Sequence, residues 1–261
     1  MDFKEGVIIP IDKPYGMTSF GALAQVRYML SRRLGVKRLK VGHAGTLDPL
    51  ATGVLLLCTG RATKQIDILQ QGVKEYAATL QLGATTPSFD MEHPVDATFP
   101  TAHITRPMVE QVLLRFHGDI EQVPPAYSAC KVEGKRAYEL KRGGEEVQLK
   151  AKTLRIDEIE LTDFDSERMQ MTIRVVCSKG TYIRALARDI GEALQSGAYL
   201  TALRRLRVGD YSVGDCVELS DFPQWLEQSL GTDGADNNGN TSAANDAVSV
   251  PWKTKIITPK I

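Results

Sequence analysis

The chain has 261 residues, enough for one large domain or two smaller ones, and its 43 % hydrophobic and 25 % charged residues are ordinary for a globular protein. No apolar run approaches the roughly 18 residues that a membrane-spanning helix needs. The first residues lack the charge pattern of a secretory signal, so we expect no membrane contact and a cytoplasmic location.

The formal net charge is zero, but the charges are unevenly distributed along the chain. From Gly21 to Lys64 the sequence has eight basic residues and one acid, Asp48. From Val208 to Val250 it has eight acids and neither lysine nor arginine. The first region can therefore face phosphate groups while the second keeps the chain in solution. Charge alone fits a merely solvated basic face at least as well.

The first half of the chain predicts strands, loops and helices in alternation. Residues 7–11 are a short apolar run that is typical of a strand, and Thr18 or Ser19 can cap the helix that follows. The Gly- and Pro-rich stretch Val41–Gly53 predicts a loop. After it we expect a buried strand at 54–58, a short helix at 65–70 and a strand at 74–83 whose alternating residues share one face.

The second half of the chain predicts more strands than helices. Thr105 can cap a helix with an early proline, and Gly118 ends that helix. Strands at 147–164 and 169–177, helices at 182–194 and 222–226, and a strand-like segment at 208–213 are expected further along. Strands that outnumber helices and are joined mostly by turns predict a mixed α+β fold around a largely antiparallel central sheet.

The composition changes near residue 229, so residues 1–228 are the predicted folded part. Residues 229–249 are almost all Gly, Asn, Ala, Ser, Thr and Asp. Such a stretch buries too little apolar surface to offset its chain entropy, and we expect a disordered linker. Residues 250–261 form a short basic tail.

The four cysteines and four histidines predict no metal site. Their spacings match neither a CxxC pair nor an HExxH helix. We therefore expect reduced, buried thiols and no bound metal.

The segment Gly42–Leu55 has the strongest chemical signal. Its glycines permit tight turns, and Pro49 keeps the preceding Asp48 out of helical geometry, so a stiff loop presents one carboxylate. The same residues fit an ordinary turn in which Asp48 bonds to nearby backbone groups. A phosphate-binding loop is excluded because Gly60–Lys64 lacks the order Gly-Lys-Ser/Thr. A hydrolase triad is excluded because no GxSxG elbow accompanies His43.

Several motifs, in order along the chain, resemble one known family. The Gly42–Leu55 segment resembles the catalytic signature of the TruB family of tRNA pseudouridine synthases, and residues 13–19 resemble the N-terminal motif of that family. Further matches are found at residues 60–64, 74–76, 124–131, 134–138, 179–184 and 203–205. Because the matches run in order from about residue 7 to 225, the resemblance favours a catalytic Asp48 over a turn residue.

The resemblance implies a pseudouridine synthase fold with a thumb-like insertion at about residues 89–117. It implies that the enzyme isomerises the T-loop uridine at position 55 of tRNA to pseudouridine and needs no cofactor. Many members of the family carry a further C-terminal RNA-binding domain. The resemblance fades near Leu226 here, so we expect no full domain of that kind and a larger share of RNA contact by the insertion.

The resemblance also implies roles for individual residues. Asp48 would be the catalytic carboxylate, and Arg184 would pair with it and keep it ionised. The pocket for the target base would be lined by Tyr76, which could take part in proton transfer, and by Tyr182 and Leu203.

RNA binding is implied for a second set of residues. His43 would fill the space that the flipped base leaves. Recognition would centre on the shape of the T stem-loop, by a monomer that needs no protein partner. Contacts to the RNA backbone are expected from Arg61, Lys64, Lys131, Arg204 and Arg205.

Two other functions stay open on the sequence. One is an RNA chaperone that folds tRNA without catalysis, which the intact set of Asp48, Tyr76 and Arg184 disfavours as the only role. The other is a related synthase that modifies ribosomal RNA under the direction of a guide RNA, which the short chain disfavours.

Overall fold

The computed structural model describes residues 1–128, 130–132, 135–137, 143 and 149–231. Most of the predicted linker at 229–249 and all of the predicted tail at 250–261 lie outside these residues. Within the described ranges, no helix is both long and apolar enough to cross a membrane.

Strands outnumber helices in the described chain. The strands are β1 (Ile8–Lys13), β2 (Val41–Ala44), β3 (Ala51–Thr59), β4 (Lys74–Leu82), β5 (Ala84–Thr85), β6 (Ala97–Thr98), β7 (Gly118–Gln122), β8 (Lys131–Val132), β9 (Lys135–Arg136), β10 (Lys152–Asp165), β11 (Gln170–Cys177), β12 (Ala198–Val208), β13 (Tyr211–Ser212) and β14 (Val217–Glu218). The α-helices are α1 (Ser19–Arg33), α2 (Ile66–Gln71), α3 (Arg106–Leu113), α4 (Ile183–Ala193) and α5 (Phe222–Gly231). Short 3-10 helices lie at Gly60–Gln65, Leu114–Phe116 and Val213–Asp215.

One mixed sheet organises the fold. Its strand order is β14-β1-β3-β12-β4-β11-β10-β7, with β2 paired to β3 and β13 paired to β12. Strand β1 runs parallel to β14 and β3 runs parallel to β12, whereas the other pairs in this sheet are antiparallel. The predicted α+β fold around a largely antiparallel sheet is confirmed.

The register of the central strands shows which helices share a face of the sheet. Leu203 of β12 pairs with both Ala51 and Ala78, so these three side chains point to the same face. Leu55, four residues after Ala51, also points there. Helix α1 packs on this face at the β1–β3 end, whereas α3 and α4 pack on it at the β4–β10 end. Helix α2 packs on the opposite face.

Helix α1 begins at a capped end beside the middle of the sheet. The Thr18 hydroxyl accepts a hydrogen bond from the Gly21 N–H at 2.9 Å, which confirms the predicted cap. Leu23, Val26 and Leu30 are buried against the sheet. The regular spacing of these apolar residues is the reason the sequence predicts this helix well.

The predicted loop Val41–Gly53 is wrong at both ends. Its first residues form the edge strand β2, and β3 already begins at Ala51. Gly42 lies close to α2, since a Cβ atom there would lie 2.6 Å from Cδ1 of Ile66, and a larger residue would make that side chain move. Only the residues between these two strands form a loop.

Strand β12 is continuous, although the sequence predicted a strand-like segment only from residue 208. Register shifts occur between Leu200 and Ala202 and again between Arg205 and Arg207. Each irregularity interrupts the alternation of inward and outward side chains. Because that alternation is the main signal of a half-buried strand, the sequence did not reveal β12.

The segment at residues 89–117, expected as a thumb-like insertion, is partly built into the body of the fold. Val109, Val112 and Leu113 of α3 are buried in the main hydrophobic core. Helix α3 contacts β10 and α4. The second half of this segment therefore supports the sheet instead of projecting from it.

Candidate active site

A loop of residues 45–50 joins β2 to β3 and carries Asp48; we call it the Asp48 loop. Ser19, at the start of α1, fixes this loop. Its hydroxyl accepts a hydrogen bond from Leu47 N at 2.8 Å and donates one to Leu47 O at 2.9 Å. The backbone oxygen of Asp48 accepts a bond from Ala51 N at 3.1 Å, which closes the turn into β3.

Lys13, the last residue of β1, anchors the same loop from inside the protein. Its fully buried ammonium group donates hydrogen bonds to the backbone oxygens of Met17 at 2.6 Å, Pro14 at 2.9 Å and Pro49 at 3.2 Å. Burial lowers the pKa of Lys13 to about 8, while the nearby charge of Asp48 acts in the opposite direction. Lys13 thus ties the turn before α1 to the residue that follows Asp48.

Arg184, the second residue of α4, meets Asp48 across the cleft. Its Nε lies 2.9 Å from Oδ2 of Asp48 and its Nη2 lies 3.3 Å from Oδ1, which is a forked, charge-assisted pair. The backbone oxygens of Ser88 and Tyr127 accept its remaining bonds at 3.2 Å and 2.9 Å. The Arg184 side chain is 5 % exposed and that of Asp48 is 39 % exposed. The guanidinium is therefore fixed inside the protein while the carboxylate stays open to a substrate.

A second carboxylate, Asp90, lies behind the same arginine. Its Oδ2 is 3.7 Å from Arg184 Nε, and its side chain is 8 % exposed. The preceding Phe89 has a φ of 61°, an uncommon value for a residue that is not glycine. Sequence reasoning missed Asp90, because neither its position before β6 nor the backbone strain beside it leaves a readable pattern in the sequence.

Tyr76 and Arg205 form the floor under the Asp48 loop. They lie opposite one another on β4 and β12. Burial raises the pKa of the Tyr76 phenol, although the charge and hydrogen bond of Arg205 oppose this change, so the phenol stays neutral. Arg205 is 2 % exposed and donates to the backbone oxygens of Val54 at 2.7 Å, Gly45 at 3.1 Å and Thr46 at 3.5 Å.

A cleft opens in front of Asp48 and Arg184. Leu50 and Leu203 lie in its walls, together with further residues of β12, and Asp90 lies at its charged end. An apolar cleft with a few polar groups at one end suits a flat ring with a polar edge. The structure therefore brings three of the predicted site residues together: Asp48, Arg184 and Leu203.

Tyr182 stands at the start of α4, two residues before Arg184. Its backbone N–H donates to Oε1 of Gln122 at 2.9 Å, which fixes its position. Burial raises the pKa of the half-buried phenol, while a hydrogen bond with the Ser128 side chain acts in the opposite direction. Asp48 is also near enough to affect this pKa, so Tyr182 belongs to the surroundings of the site.

His43, in β2, is partly buried, and its pKa is lowered. Burial is the main cause that lowers the pKa of His43, and the charge of Arg205 is the second. Its Nδ1 is buried without a hydrogen-bond partner among the described residues. His43 does not line the cleft in front of Asp48.

The residues expected at the RNA backbone have different surroundings. Arg61 and Lys64 are exposed in the 3-10 turn after β3, where Arg61 pairs with Glu5 at 2.9 Å. Lys131 lies in the short strand β8. Both Arg61 and Lys64 can be reached from solvent, and their contacts with phosphate groups stay a prediction.

The two neighbouring arginines of β12 do not fit the predicted contacts. Arg205 is enclosed by backbone oxygens of the protein, so the prediction that it meets a phosphate is wrong for this structure. Arg204 pairs in register with Thr52, so it points to the sheet face opposite Ala51 and the cleft. There its Nη1 contacts Oδ1 of Asp12 at 3.2 Å. Successive side chains of a strand point to opposite faces of the sheet, so the adjacent residues Arg204 and Arg205 lie on different faces.

The thiols and histidines of the described chain form no metal site. No group of three or more His, Cys, Asp or Glu residues in the described ranges could hold a metal ion. Burial raises the pKa of the Cys58 and Cys177 thiols to about 12 and 11, so both stay protonated.

Two family profiles match the chain. The profile described as TruB family pseudouridylate synthase (N terminal domain) matches residues 31–183. The profile described as tRNA pseudouridylate synthase B C-terminal domain matches residues 184–234. The second region includes β12, which lies between β3 and β4. Among the described residues, the part of the chain that the second profile matches therefore contributes a strand to the sheet of the first part. It does not form a separate body.

Curated relatives match nearly the whole described chain. The tRNA pseudouridine synthase B of Phocaeicola vulgatus is 64 % identical over 228 residues, which cover 87 % of this chain and 96 % of the relative. The protein of the same name from Bacteroides thetaiotaomicron is 62 % identical over 240 residues, which cover 91 % of this chain and all of the relative.

Solved structures share the fold at lower identity. A Cbf5-Nop10-Gar1 complex matches with 28 % identity and a TM-score of 0.66, over 90 % of this chain and 58 % of the matched one. An H/ACA RNP bound to a substrate RNA containing 2′-deoxyuridine matches with 25 % identity and a TM-score of 0.63, over 90 % and 57 % of the two chains. This chain thus spans less than two thirds of either matched protein.

The sheet with its cleft and its carboxylate–arginine pair, together with the profile match, define an RNA pseudouridine synthase, which is an isomerase. The residues matched by the profile and the high identity to the curated relatives specify the family of pseudouridine synthases to which the chain belongs. The chain belongs to the TruB family of these enzymes.

Proposed function

We propose that this chain isomerises the T-loop uridine at position 55 of tRNA to pseudouridine, with Asp48 as the catalytic carboxylate. The relatives that it matches over almost their whole length are named for tRNA. The observation that carries the proposal is the pair at the cleft: an accessible carboxylate forked to a buried guanidinium.

The reaction changes bonds but not composition. The N1–C1′ bond breaks, the uracil ring turns over, and C5 bonds to C1′; one proton leaves C5 and one is taken up at N1. Asp48 can attack C1′, attack C6 or remove a proton at C2′. All three routes begin with the ionised carboxylate, which the positive charge of Arg184 stabilises.

The neighbouring residues suit a uracil ring beside Asp48. Leu203 offers an apolar wall in the cleft. Tyr76 is a neutral phenol under the Asp48 loop, so it can pack against the base and exchange a hydrogen bond without adding charge. Tyr182 is also neutral and leads into α4 beside Arg184. We assign these three residues to binding of the target base.

A uridine stacked inside folded RNA must leave its stack to reach this cleft. Flipping costs a few kcal/mol. Two kinds of contact offset this cost: contacts with the extruded base, and contacts with the bases that were its neighbours in the stack. We assign His43 to the second kind of contact, because its ring is neutral and its Nδ1 lacks a partner in the described structure. We further propose that the T stem-loop is the recognised unit, that the enzyme acts as a monomer in the cytoplasm, and that neither a cofactor nor a protein partner is required.

The test of this function is to map the product. Unmodified tRNA transcript is incubated with the protein, and pseudouridine is located by carbodiimide labelling and primer extension. We expect one modified site at position 55, and none in a control transcript that carries cytidine there. A folded protein that yields no product, or that modifies a different position, would overturn the proposal.

A synthase directed to ribosomal RNA by a guide RNA is the second candidate, and the likeness to the solved H/ACA particle favours it. An isolated T stem-loop separates the two candidates. The tRNA enzyme turns over this hairpin without any other RNA, whereas the guided enzyme acts on ribosomal RNA only after a guide RNA is added.

A further inference from the structure

Several basic residues on and after α1 have no acidic partner among the described residues, whereas two other basic residues of the same region, Arg33 and Arg61, have one. Arg33 pairs with Glu227 at 2.7 Å, and Arg61 pairs with Glu5. In the described part of the chain, no acidic side chain pairs with any of four exposed residues of the same region: Arg27, Arg32, Lys37 and Arg38. Arg32 Nη1 donates a hydrogen bond to the neutral Tyr28 hydroxyl at 3.4 Å, which leaves its charge, like the other three, without a counter-ion among the described side chains.

Two large aromatic side chains lie among these charges. Phe20 is 64 % exposed and Tyr28 is 63 % exposed, although both belong to α1. Arg27 and Tyr28 follow Phe20 by seven and eight residues, which is about two helical turns, and Arg32 follows Tyr28 by about one turn. They therefore form one stripe on the solvent face of the helix. We call this stripe, with Lys37 and Arg38 behind it, the α1 surface.

The α1 surface starts at the active site. Ser19, the first residue of α1, bonds to both backbone groups of Leu47, the neighbour of Asp48. Helix α1 also covers the same face of the sheet as the cleft. Its 15 residues span about 22 Å. RNA that places a nucleotide at Asp48 therefore has its adjoining nucleotides within reach of this surface.

Unpaired arginine and lysine side chains together with exposed aromatic rings match the chemistry of RNA. Cations contact phosphates, and aromatic rings stack on unpaired bases with little sequence preference. We propose that the α1 surface is a second RNA-binding surface, which holds the part of the substrate RNA that adjoins the target loop. It deepens the proposed function, on which it rests, by adding a site outside the cleft.

The first test compares two pairs of arginines. The Arg27→Gln/Arg32→Gln variant removes two unpartnered charges from the α1 surface. The control, Arg155→Gln/Arg168→Gln, removes two exposed arginines that already pair with acids at the far end of the sheet. Both variants lose the same net charge, so a difference between them reports position and not overall attraction.

We expect the α1 variant to bind unmodified tRNA about 10-fold more weakly and to flatten the slope of log affinity against log salt by roughly 1.5, because each phosphate contact contributes about 0.7–0.9 to that slope. The value of KM should rise with it, while kcat stays unchanged. The control should keep the affinity and slope of the wild type. Equal behaviour of the two variants would overturn the proposal.

The second test concerns the aromatic rings. Tyr28→Ala should weaken tRNA binding several-fold without changing the salt slope, because stacking releases no counterions. Ile68→Ala is the matched control, since Ile68 is an apolar residue that is 74 % exposed on α2, on the opposite face of the sheet. Equal affinity of Tyr28→Ala and wild type would remove stacking from the proposal.

Failure of this inference is distinguishable from failure of the proposed function. Wild-type protein that modifies position 55 while both α1 variants behave like their controls keeps the function and overturns the α1 surface. A wild type that yields no product on any RNA overturns the proposed function. The slopes of log affinity against log salt, measured by filter binding, then show separately whether the α1 surface binds RNA.

Discussion

Two buried arginines, Arg184 and Arg205, contact the Asp48 loop and serve it in different ways. Arg184 faces two carboxylates, Asp48 and Asp90, at 2.9 Å and 3.7 Å. Arg205 has no acidic partner in the described part of the chain and donates to backbone oxygens instead. The first arginine therefore acts mainly on the charge of the site and the second mainly on its shape.

The comparison shows why burial alone does not reveal a role. A guanidinium paired with an accessible carboxylate prepares that group for chemistry, because the charge of the anion is stabilised before the substrate arrives. A guanidinium that satisfies backbone oxygens fixes the path of the chain. Substitutions at the two positions should accordingly separate activity from stability.

The largest effect on activity is expected for Arg184→Met. It leaves Asp48 without its fixed partner and the buried Asp90 without a counter-charge, so we expect the single-turnover rate to fall by about 10²–10³-fold. Arg184→Lys should recover only part of this loss, because an ammonium group keeps the charge but not the fork. Single-turnover assays on tRNA measure both variants, and near wild-type rates for Arg184→Met would break the comparison.

The largest effect on stability is expected for Arg205→Met. Three backbone oxygens lose their donor, and buried unsatisfied groups cost about 1–3 kcal/mol each, less the relief of removing a buried charge, so we expect a net loss of about 3 kcal/mol. Urea unfolding measures it. A loss well below 1 kcal/mol would contradict a structural role for Arg205.

The same variant should change the titration of His43. Arg205 is the second cause of the lowered pKa of His43, so without it this pKa should rise part of the way toward its ordinary value. Because the pKa of His43 is lower in the folded protein than in the unfolded chain, the unfolded chain binds the proton more readily. His43 therefore makes the free energy of unfolding fall as the pH drops through about 6.5. Arg205→Met should weaken that fall, and NMR titration of His43 checks the direction.

The smallest effect is expected for the neighbouring residue, Arg204→Gln. Arg204 is partly exposed on the sheet face away from the cleft, where it pairs with Asp12. The Arg204 side chain is 40 % exposed and the Asp12 side chain 19 %, so water screens the pair only in part. We expect a change in unfolding free energy of about 1 kcal/mol and an unchanged salt slope of tRNA binding. A large drop in RNA affinity would instead restore Arg204 as a phosphate contact.

Patterns with a regular period or a strong local motif allowed prediction from the sequence. The period of Leu23, Val26 and Leu30 predicts α1, and the Gly42–Leu55 segment predicts an ordered loop with one carboxylate. Strand β12 was missed because its bulges interrupt the alternation. The different faces of adjacent Arg204 and Arg205 follow from that same hidden strand.

The partners of the site were harder to predict than its motif residues. Arg184 was found by resemblance, and its contact with Asp48 spans 136 positions of the chain. Asp90 and Lys13 were not assigned roles, because their importance depends on burial and on backbone oxygens brought together by the fold. Such long-range contacts have no local period or spacing in the sequence.

The central claim is that Asp48 carries the chemistry. It is tested most directly by release of tritium from tRNA transcribed with [5-³H]uridine, since the C5 proton leaves during isomerisation. Wild type should release the label from position 55, whereas Asp48→Asn should release none above background while it keeps its fold and its affinity for tRNA. Release by Asp48→Asn at the rate of the wild type would contradict the account.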